Sequence, residues 1–287
     1  MLCYVSADPF FRKDMHDKIT FSFMYAFSEN YILPLSHDEV VHGKRSLIDK
    51  MPEPYENKFA SLRALYGYMM AHPGKKMLFM GGEFAQFTEW NEARGLDWMV
   101  LEYEAHRQMQ TYVKALNAAY LANKQFWEND MDWQGFAWIS HDDSRNNIIA
   151  FRRIASDGSD LICVVNFAPV YHKSYCIGVP YAGTYEEIFT SDATEFGGTG
   201  VKNGKVRSKA ATSVLESVLD ETGKKIAPTL HGYADLIDLE IAPLSAIYLK
   251  GKPRAARKAK ATPTKKTSKG ETQGERAKTT ARRARKG

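Results

Sequence analysis

The pattern of apolar residues changes once along the chain, and this change limits the fold more than any other feature of the sequence. Before about residue 126, two long segments repeat apolar residues every three or four positions, as helices with one buried face do. From Phe136 onward the apolar runs are short, rich in Ile, Val, Phe and Tyr, and separated by turn residues. The sequence therefore predicts an α/β region followed by an all-β domain.

The α/β region, residues 1–125, alternates short strands with helices. One amphipathic helix is predicted around residues 59–69 and ends at His72-Pro73-Gly74, and a second is predicted over residues 102–122. Apolar runs at residues 31–35 and 76–80 are predicted to be buried strands. The order strand, helix, strand, helix is typical of a parallel sheet or a βα-barrel, and two repeats alone do not distinguish a barrel from a doubly wound sheet.

The second region, residues 126–250, predicts an antiparallel β-sandwich. Residues 190–235 are less regular, and we assign no strands there. The strands expected elsewhere are residues 136–139, 147–152, 161–167, 174–179, 185–189 and 246–249.

The last segment, residues 251–287, contains 14 Lys and Arg against two acids and has no aromatic residue. Ordering it would cost entropy and bury almost nothing, so we predict a disordered tail. The residues before it include 25 basic and 32 acidic side chains, so the formal charge of +5 comes from the tail. A basic arm can neutralise phosphates, but this one lacks aromatic residues for base stacking, and we expect only weak, non-specific binding to nucleic acid.

Composition narrows the class of protein. No apolar run approaches the ~18 residues of a membrane helix, and the first eleven residues lack the features of a secretory signal. Cys3, Cys163 and Cys176 show no metal-type spacing, which indicates reduced thiols. We therefore expect a soluble, cytoplasmic protein without a membrane partner. We predict no metal, because the histidines lack the paired spacing of helical metal motifs. We also predict no cofactor.

The densest group of reactive side chains directly follows the first predicted strand. Carboxyl ends of strands are where βα folds place their sites. His37 beside Asp38 can hydrogen-bond a polar substrate, while the carboxylate stabilises developing positive charge or handles a proton. The alternative is that these two residues only cap the loop and helix that follow, as Asp often does. The surrounding polar residues are Ser36, Glu39, His42 and Lys44.

The second predicted strand also delivers polar groups to its end. Glu83 and Gln86 supply a carboxylate and an amide, and Trp90 and Trp98 follow in the next loop. Flat aromatic surfaces beside hydrogen-bonding groups suit sugar rings, which have a C–H face and hydroxyl edges. Core packing is the alternative for both tryptophans, and we favour it for Trp98.

These two strand ends resemble a known family. The first resembles the seventh-strand motif of glycogen (1,4-α-glucan) branching enzymes, and the second resembles the same family's eighth strand and following loop. The resemblance covers about residues 1–250 and implies the C-terminal part of a (β/α)8 TIM barrel, strands 7 and 8, followed by the family's C-terminal all-β domain. The motifs are Ser36-His37-Asp38-Glu39-Val40-Val41-His42-Gly43-Lys44, then Leu78-Phe79-Met80-Gly81-Gly82-Glu83-Phe84-Ala85-Gln86, Glu89-Trp90-Asn91 and Leu96-Asp97-Trp98.

The resemblance also implies a chemistry. Branching enzymes are α-amylase-like glycoside hydrolases with a retaining mechanism, in which a carboxylate takes a glucan chain and a 6-hydroxyl of another chain accepts it, giving an α-1,6 branch in glycogen. The residues matching His37 and Asp38 bind sugar hydroxyls and stabilise the oxocarbenium-like transition state. We predict that the α-1,4-glucan also contacts the polar and aromatic residues around them, namely Ser36, Glu39, His42, Lys44, Glu83, Gln86 and Trp90.

The same resemblance places the nucleophilic Asp in an Arg-x-Asp motif at the end of the fourth strand and the acid/base Glu at the end of the fifth. Only the patterns of the seventh and eighth strands precede the all-β region, so we expect both groups to be absent from this chain. We therefore predict that the chain alone is inactive and aggregation-prone, because its two strands would expose edges and apolar faces. The upstream part of the enzyme is its expected partner.

Three other functions stay open. Another α-amylase-like glycosidase is the nearest, because a His-Asp pair after the seventh strand is common to that superfamily, although the run from Glu39 to Lys44 favours branching. A non-catalytic glucan-binding module is the second. Nucleic-acid binding through the tail is the third and the most remote.

Overall fold

Two parallel strands and two long helices make up the first region, in the order predicted. The structure, a computed structural model, describes residues 1–253 except 220, 222 and 224. The strands pair in parallel, with Leu35 opposite Leu78, so the predicted element order and pairing are confirmed. The elements are α1 (Leu2–Val5), α2 (Asp17–Thr20), β1 (Ile32–Leu35), α3 (Tyr55–Ala71), β2 (Lys75–Leu78) and α4 (Glu104–Ala122).

The helix α3 is buried on nearly all sides. Leu62 and Tyr66 are buried as predicted, but so are Arg63 and Tyr68 on other faces. A helix that is enclosed all round lies inside a protein rather than on its surface. The amphipathic character predicted for it is therefore wrong, because the β domain covers the face that we expected to meet solvent. The helix α4 does have one buried and one exposed face, as predicted.

The second region consists of antiparallel sheets, as predicted. A six-stranded sheet has the order β3-β4-β5-β13-β7-β8, a three-stranded sheet has the order β6-β12-β9, and β10 pairs with β11. The strands are β3 (Phe136–Ser140), β4 (Ile148–Ile154), β5 (Asp160–Asn166), β6 (His172–Val179), β7 (Gly183–Thr190), β8 (Lys205–Arg207), β9 (Lys209–Ala210), β10 (Val218–Leu219), β11 (Lys225–Ile226), β12 (Asp235–Ile241) and β13 (Ser245–Pro253).

The six-stranded sheet has a buried core on each face. On one side, Ile162 and Ile247 pack with Ile177 and Ile237 of the three-stranded sheet. On the other side, Phe151 and Tyr248 belong to the cluster that contains α3 and α4. The described residues accordingly form one compact unit. The domain boundary at residues 125 and 126 stays a prediction, and the disordered tail lies outside the described residues apart from its first three, which end β13.

The β1–β2 pair leaves apolar surface uncovered. Ile32, Met77 and Met80 are each about half exposed, and Phe21 and Met24 expose their side chains on the preceding segment. Within the described residues, neither strand pairs with any strand but the other, so each keeps an unpaired edge. Such edges and apolar faces are normally covered in a folded protein. In the described part of the chain, no helix is long and apolar enough to cross a membrane.

Candidate functional site

The strand β1 ends at Leu35, and the chain turns at once into the 3-10 helix His37–Glu39. Ser36 caps this helix: its hydroxyl accepts a hydrogen bond from the Asp38 amide at 3.3 Å and donates one to the Asp38 carboxylate at 3.3 Å. The cap is therefore Ser36, and Asp38 is left with an exposed carboxylate. His37 Nε2 lies 3.5 Å from Asp38 Oδ1, with the two side chains 50% and 72% exposed. Both groups are open to a ligand.

The His37 side chain packs beside two aromatic rings. Its ring lies 5.6 Å from the ring of Trp90 and 5.8 Å from that of Phe79, and the last two meet edge to face at 5.4 Å. The Trp90 amide donates to the Val40 carbonyl at 2.8 Å, which brings the loop after β2 onto the loop after β1. The structure thus brings Ser36, His37, Asp38 and Trp90 together.

The loop after β2 is stabilised by hydrogen bonds within the loop. Gln86 Oε1 accepts a hydrogen bond from the Asp97 amide at 2.9 Å, and Gln86 Nε2 donates one to the Thr88 carbonyl at 3.1 Å. Both the oxygen and the nitrogen of its side-chain amide are therefore already hydrogen-bonded. Glu83 is partly buried on the 3-10 helix Gly82–Phe84. The core packing that we favoured for Trp98 is wrong: its side chain is 55% exposed and covers Phe84 with one face, at 5.0 Å between ring centroids.

Glu89 fixes the loop that carries His42 and Lys44. Its carboxylate accepts the backbone amides of Gly43 at 3.0 Å and Arg45 at 2.6 Å, and it lies 3.3 Å from His42 Nδ1. The hydrogen bonds from the Arg45 and Gly43 amides hold the pKa of Glu89 below its usual value. The sequence analysis missed this residue, although it belongs to the Glu89-Trp90-Asn91 motif.

Lys50 is a second residue that the sequence analysis missed. Its buried ammonium donates to the carbonyls of Glu39 at 2.7 Å and Arg45 at 2.9 Å, and also to that of Lys44. Burial lowers the pKa of Lys50. These contacts involve the backbones of Glu39 and Lys44. The Lys44 side chain is exposed on the surface of the loop.

The loop after β2, together with His42 of the loop after β1, lines a cavity of about 290 Å³. Trp90 provides an aromatic surface, and His42, Gln86, Glu89 and Arg94 provide polar groups. A cavity with one aromatic wall and several hydrogen-bonding groups can hold a sugar ring, which has one apolar face and polar edges.

A larger cavity of about 710 Å³ lies in the β domain, at β7, β8 and β13. Lys205 and Lys252 both line it, and each lies 3.6 Å from the Glu186 carboxylate. None of the described residues that line it is aromatic, so it offers no surface for stacking a sugar. The strand ends are therefore the better candidate site.

The chain does contain one Arg-x-Asp spacing, Arg12-Lys13-Asp14. It forms part of the 3-10 helix Arg12–Met15 and does not follow a strand. Arg12 is fully buried, lies 2.7 Å from the Glu53 carboxylate and donates to the Phe167 carbonyl at 2.6 Å. Its role is structural, and this spacing is not a strand-end nucleophile motif.

Among the described residues, no group of three or more His, Cys, Asp or Glu is arranged to hold a metal ion. The three cysteines are free thiols: Cys3 is exposed, Cys163 is buried and Cys176 is partly buried.

Residues 138–252 match the family model of the alpha amylase C-terminal all-beta domain. Together with the parallel strand pair and its polar ends, this match defines the class: a C-terminal region of an α-amylase-family protein. A 1,4-alpha-glucan branching enzyme from Halothermothrix orenii is 56% identical over 204 residues, which are 71% of this chain and 32% of that protein. The corresponding enzyme of Aquifex aeolicus is 48% identical over 250 residues, 87% of this chain and 37% of that protein.

The chain therefore belongs to the 1,4-alpha-glucan branching enzymes and corresponds to a C-terminal part of them. It spans about a third of the length of the curated relatives it matches. Among solved structures, an alpha-amylase from H. orenii aligns with a TM-score of 0.48 at 16% identity, over 88% of this chain and 46% of that one.

Proposed function

We propose that this chain supplies the last two barrel strands and the C-terminal all-β domain of a branching enzyme, which moves α-1,4-linked glucan chains to 6-hydroxyls in glycogen biosynthesis. One observation carries the proposal: in a chain about 50% identical to named branching enzymes, the ends of two parallel strands bring His37, Asp38 and Trp90 to one place.

The geometry supports separate roles for the two central residues. In a retaining transfer, positive charge develops at the anomeric carbon, and a nearby carboxylate stabilises it more in the transition state than in the ground state. Asp38 has an exposed carboxylate held by the Ser36 hydroxyl, which suits that role. His37 is backed by Trp90 and Phe79 and would donate a hydrogen bond to a sugar hydroxyl, while Trp90 covers the C–H face of a ring.

The remaining predicted contacts differ in how available their side chains are. His42 and Lys44 have exposed side chains at the cavity or on its loop and are well placed to bind glucan hydroxyls. Glu39 and Glu83 are partly buried, and Gln86 is engaged within its own loop, so we propose that these three shape the site more than they bind.

The partner that we propose is the upstream part of the enzyme. The unpaired edges of β1 and β2 and the exposed Ile32, Met77 and Met80 fit a surface that other barrel strands would cover. That part would also bring the nucleophilic Asp and the acid/base Glu, so the chain alone would be inactive. The free thiols support our inference that the enzyme works in the cytoplasm.

The test is to mix or fuse this chain with the preceding part of a branching-enzyme relative and to incubate it with amylose. We expect new α-1,6 linkages, measured after debranching and by iodine staining, from the combination and from neither part alone. Branching by this chain alone would contradict the proposal. Release of reducing ends without new branches would favour another α-amylase-like glycosidase, and glucan binding without either reaction would favour a non-catalytic module.

A further inference from the structure

Glu89 connects two loops that are far apart in sequence. Its carboxylate accepts hydrogen bonds from the amides of Gly43 and Arg45, which belong to the loop after β1, whereas Glu89 follows β2. The next residue adds a second link, because the Trp90 amide donates to the Val40 carbonyl at 2.8 Å. Glu89 and Trp90 therefore attach the loop after β2 to the loop after β1 at two points.

The backbone segment that Glu89 contacts has two residues in the left-handed conformation. Gly43 has φ of 83° and Arg45 has φ of 62°, and a non-glycine residue rarely adopts the left-handed region without support. Between them, the Lys44 amide donates to the Val41 carbonyl at 3.0 Å. Amides on either side of a turn that point to one place form a concave anion site, and here the Glu89 carboxylate fills it.

The side chains on this loop are those predicted to meet the substrate. His42 directly precedes Gly43, and its Nδ1 lies 3.3 Å from the Glu89 carboxylate. Lys44 lies between Gly43 and Arg45, whose amides donate to that carboxylate. His42, Glu89 and Trp90 all line the cavity of about 290 Å³. The Glu89 carboxylate thus contacts the segment that carries His42 and Lys44, directly beside Trp90.

We propose that Glu89 is a positioning residue of the glucan site: its carboxylate holds the 42–45 loop so that His42 and Lys44 face the sugar that stacks on Trp90. This inference rests on the proposed function. Glu89 acts through the loop that it holds, and the loop meets the glucan.

The experiment compares three variants of the full chain. Glu89→Gln keeps the size of the side chain but loses the charge and one of the two acceptor oxygens, and Glu89→Asp keeps the charge but shortens the reach. Glu92→Gln is the matched control, because this substitution removes the same charge from an exposed residue three positions further along the same loop. Each variant is examined by hydrogen exchange of the 42–46 peptide, by titration with maltoheptaose and by thermal unfolding.

In Glu89→Gln we expect exchange of the 42–46 peptide to become roughly tenfold faster and maltoheptaose affinity to fall about five- to tenfold, with a similar melting temperature. Glu89→Asp should recover part of both effects, and Glu92→Gln should match the wild type in both. Recovery by Asp distinguishes positioning from a general loss of structure, and it can be measured even if the Gln variant does not fold.

Two results would overturn the proposal. One is unchanged exchange in Glu89→Gln, which would mean that the carboxylate does not hold the loop. The other is faster exchange with unchanged maltoheptaose affinity, which would mean that the held loop does not serve the glucan. If the wild-type chain alone does not bind maltoheptaose, the same titration is made with the enzyme completed by its upstream part; unchanged affinity of Glu89→Gln there would overturn the positioning role, and no binding by the completed wild-type enzyme would overturn the glucan site itself.

Discussion

The guanidinium of Arg153, on β4, lies 2.8 Å from the carboxylate of Asp130, and both side chains are buried. Asp130 also accepts the Gly74 amide at 2.9 Å, and Arg153 donates to the Ala71 carbonyl at 2.9 Å, so the pair joins the β domain to the turn between α3 and β2. Burial raises the pKa of Asp130, but the positive charges of Lys76 and Arg153 outweigh burial, and the net shift is downward.

Replacing Arg153 by Met should therefore destabilise the whole described fold. The substitution leaves the Asp130 charge buried with less compensation, which typically costs about 3–5 kcal/mol in the free energy of unfolding. Denaturant unfolding followed by both circular dichroism and tryptophan fluorescence measures it. The exposed pair of Lys124 and Asp157, 2.9 Å apart, supplies the control: Lys124→Met should change little. Similar effects of the two variants would contradict the structural role of the buried pair.

Gly67 allows α3 to lie directly on β13. A Cβ at this position would approach the Ala246 Cβ to 2.5 Å and the Tyr112 hydroxyl to 3.1 Å, and the Tyr248 hydroxyl donates to the Gly67 carbonyl at 2.6 Å. Gly67→Ala should lower the free energy of unfolding by roughly 1–3 kcal/mol through overpacking, despite the higher helix propensity of Ala. Gly95→Ala is the control, because nothing lies within 4 Å of its Cβ position. An unchanged or raised stability of Gly67→Ala would show that the helix and strand are less closely packed.

The close contact between α3 and β13 also explains what sequence analysis could and could not predict here. Periodicity located α3, α4 and six strands of the β domain, because each is long enough to show its own pattern. It did not predict that α3 is covered on all sides, since the covering strand lies about 180 residues away. The apolar run from Ala64 to Ala71 carries that information, and only Gly67 interrupts its side chains.

The strands that we did not assign have physical reasons for being missed. β8, β9, β10 and β11 have only two or three residues each, too few to show alternation. β12, Asp235–Ile241, is long enough, but Leu236 and Ile237 are both buried, so its apolar pattern is not strictly alternating. Glu89 was missed because it binds backbone amides, which carry no side-chain signature in a sequence.

His72 is expected to make the protein sensitive to acid. Its ring is buried against Phe23, with 4.2 Å between the ring centroids. Nδ1 lies 2.7 Å from the Pro73 carbonyl and Nε2 lies 2.8 Å from the Ser22 hydroxyl. These contacts suit the neutral tautomer that donates from Nδ1 and accepts from Ser22. Burial lowers the pKa of His72 to about 3.

Because the unfolded chain binds a proton on His72 near its ordinary pKa and the folded chain does so only near pH 3, acid favours unfolding. The contribution is fully present above about pH 6.5 and is lost as the pH falls towards 3, at up to about 1.4 kcal/mol per pH unit. His72→Phe cannot titrate, so its unfolding free energy should depend less on pH between 6 and 4 than that of the wild type. Parallel pH profiles for the two proteins would count against this explanation.

Asp38 at the proposed site and Asp14 in the only Arg-x-Asp spacing of the chain lie in different surroundings. Asp38 has an exposed carboxylate at the end of β1, held by Ser36, whereas Asp14 lies on the 3-10 helix Arg12–Met15 beside the buried Arg12. In the enzyme completed with its upstream part, Asp38→Asn keeps the shape of the side chain and removes the charge that would stabilise the transition state. We expect turnover to fall about 100-fold or more, with a much smaller change in glucan affinity. Asp14→Asn should branch glucan as the wild type does. Loss of turnover in Asp14→Asn with normal folding would instead assign the reacting carboxylate to the N-terminal segment, and unchanged turnover in Asp38→Asn would remove the strand end from the chemistry.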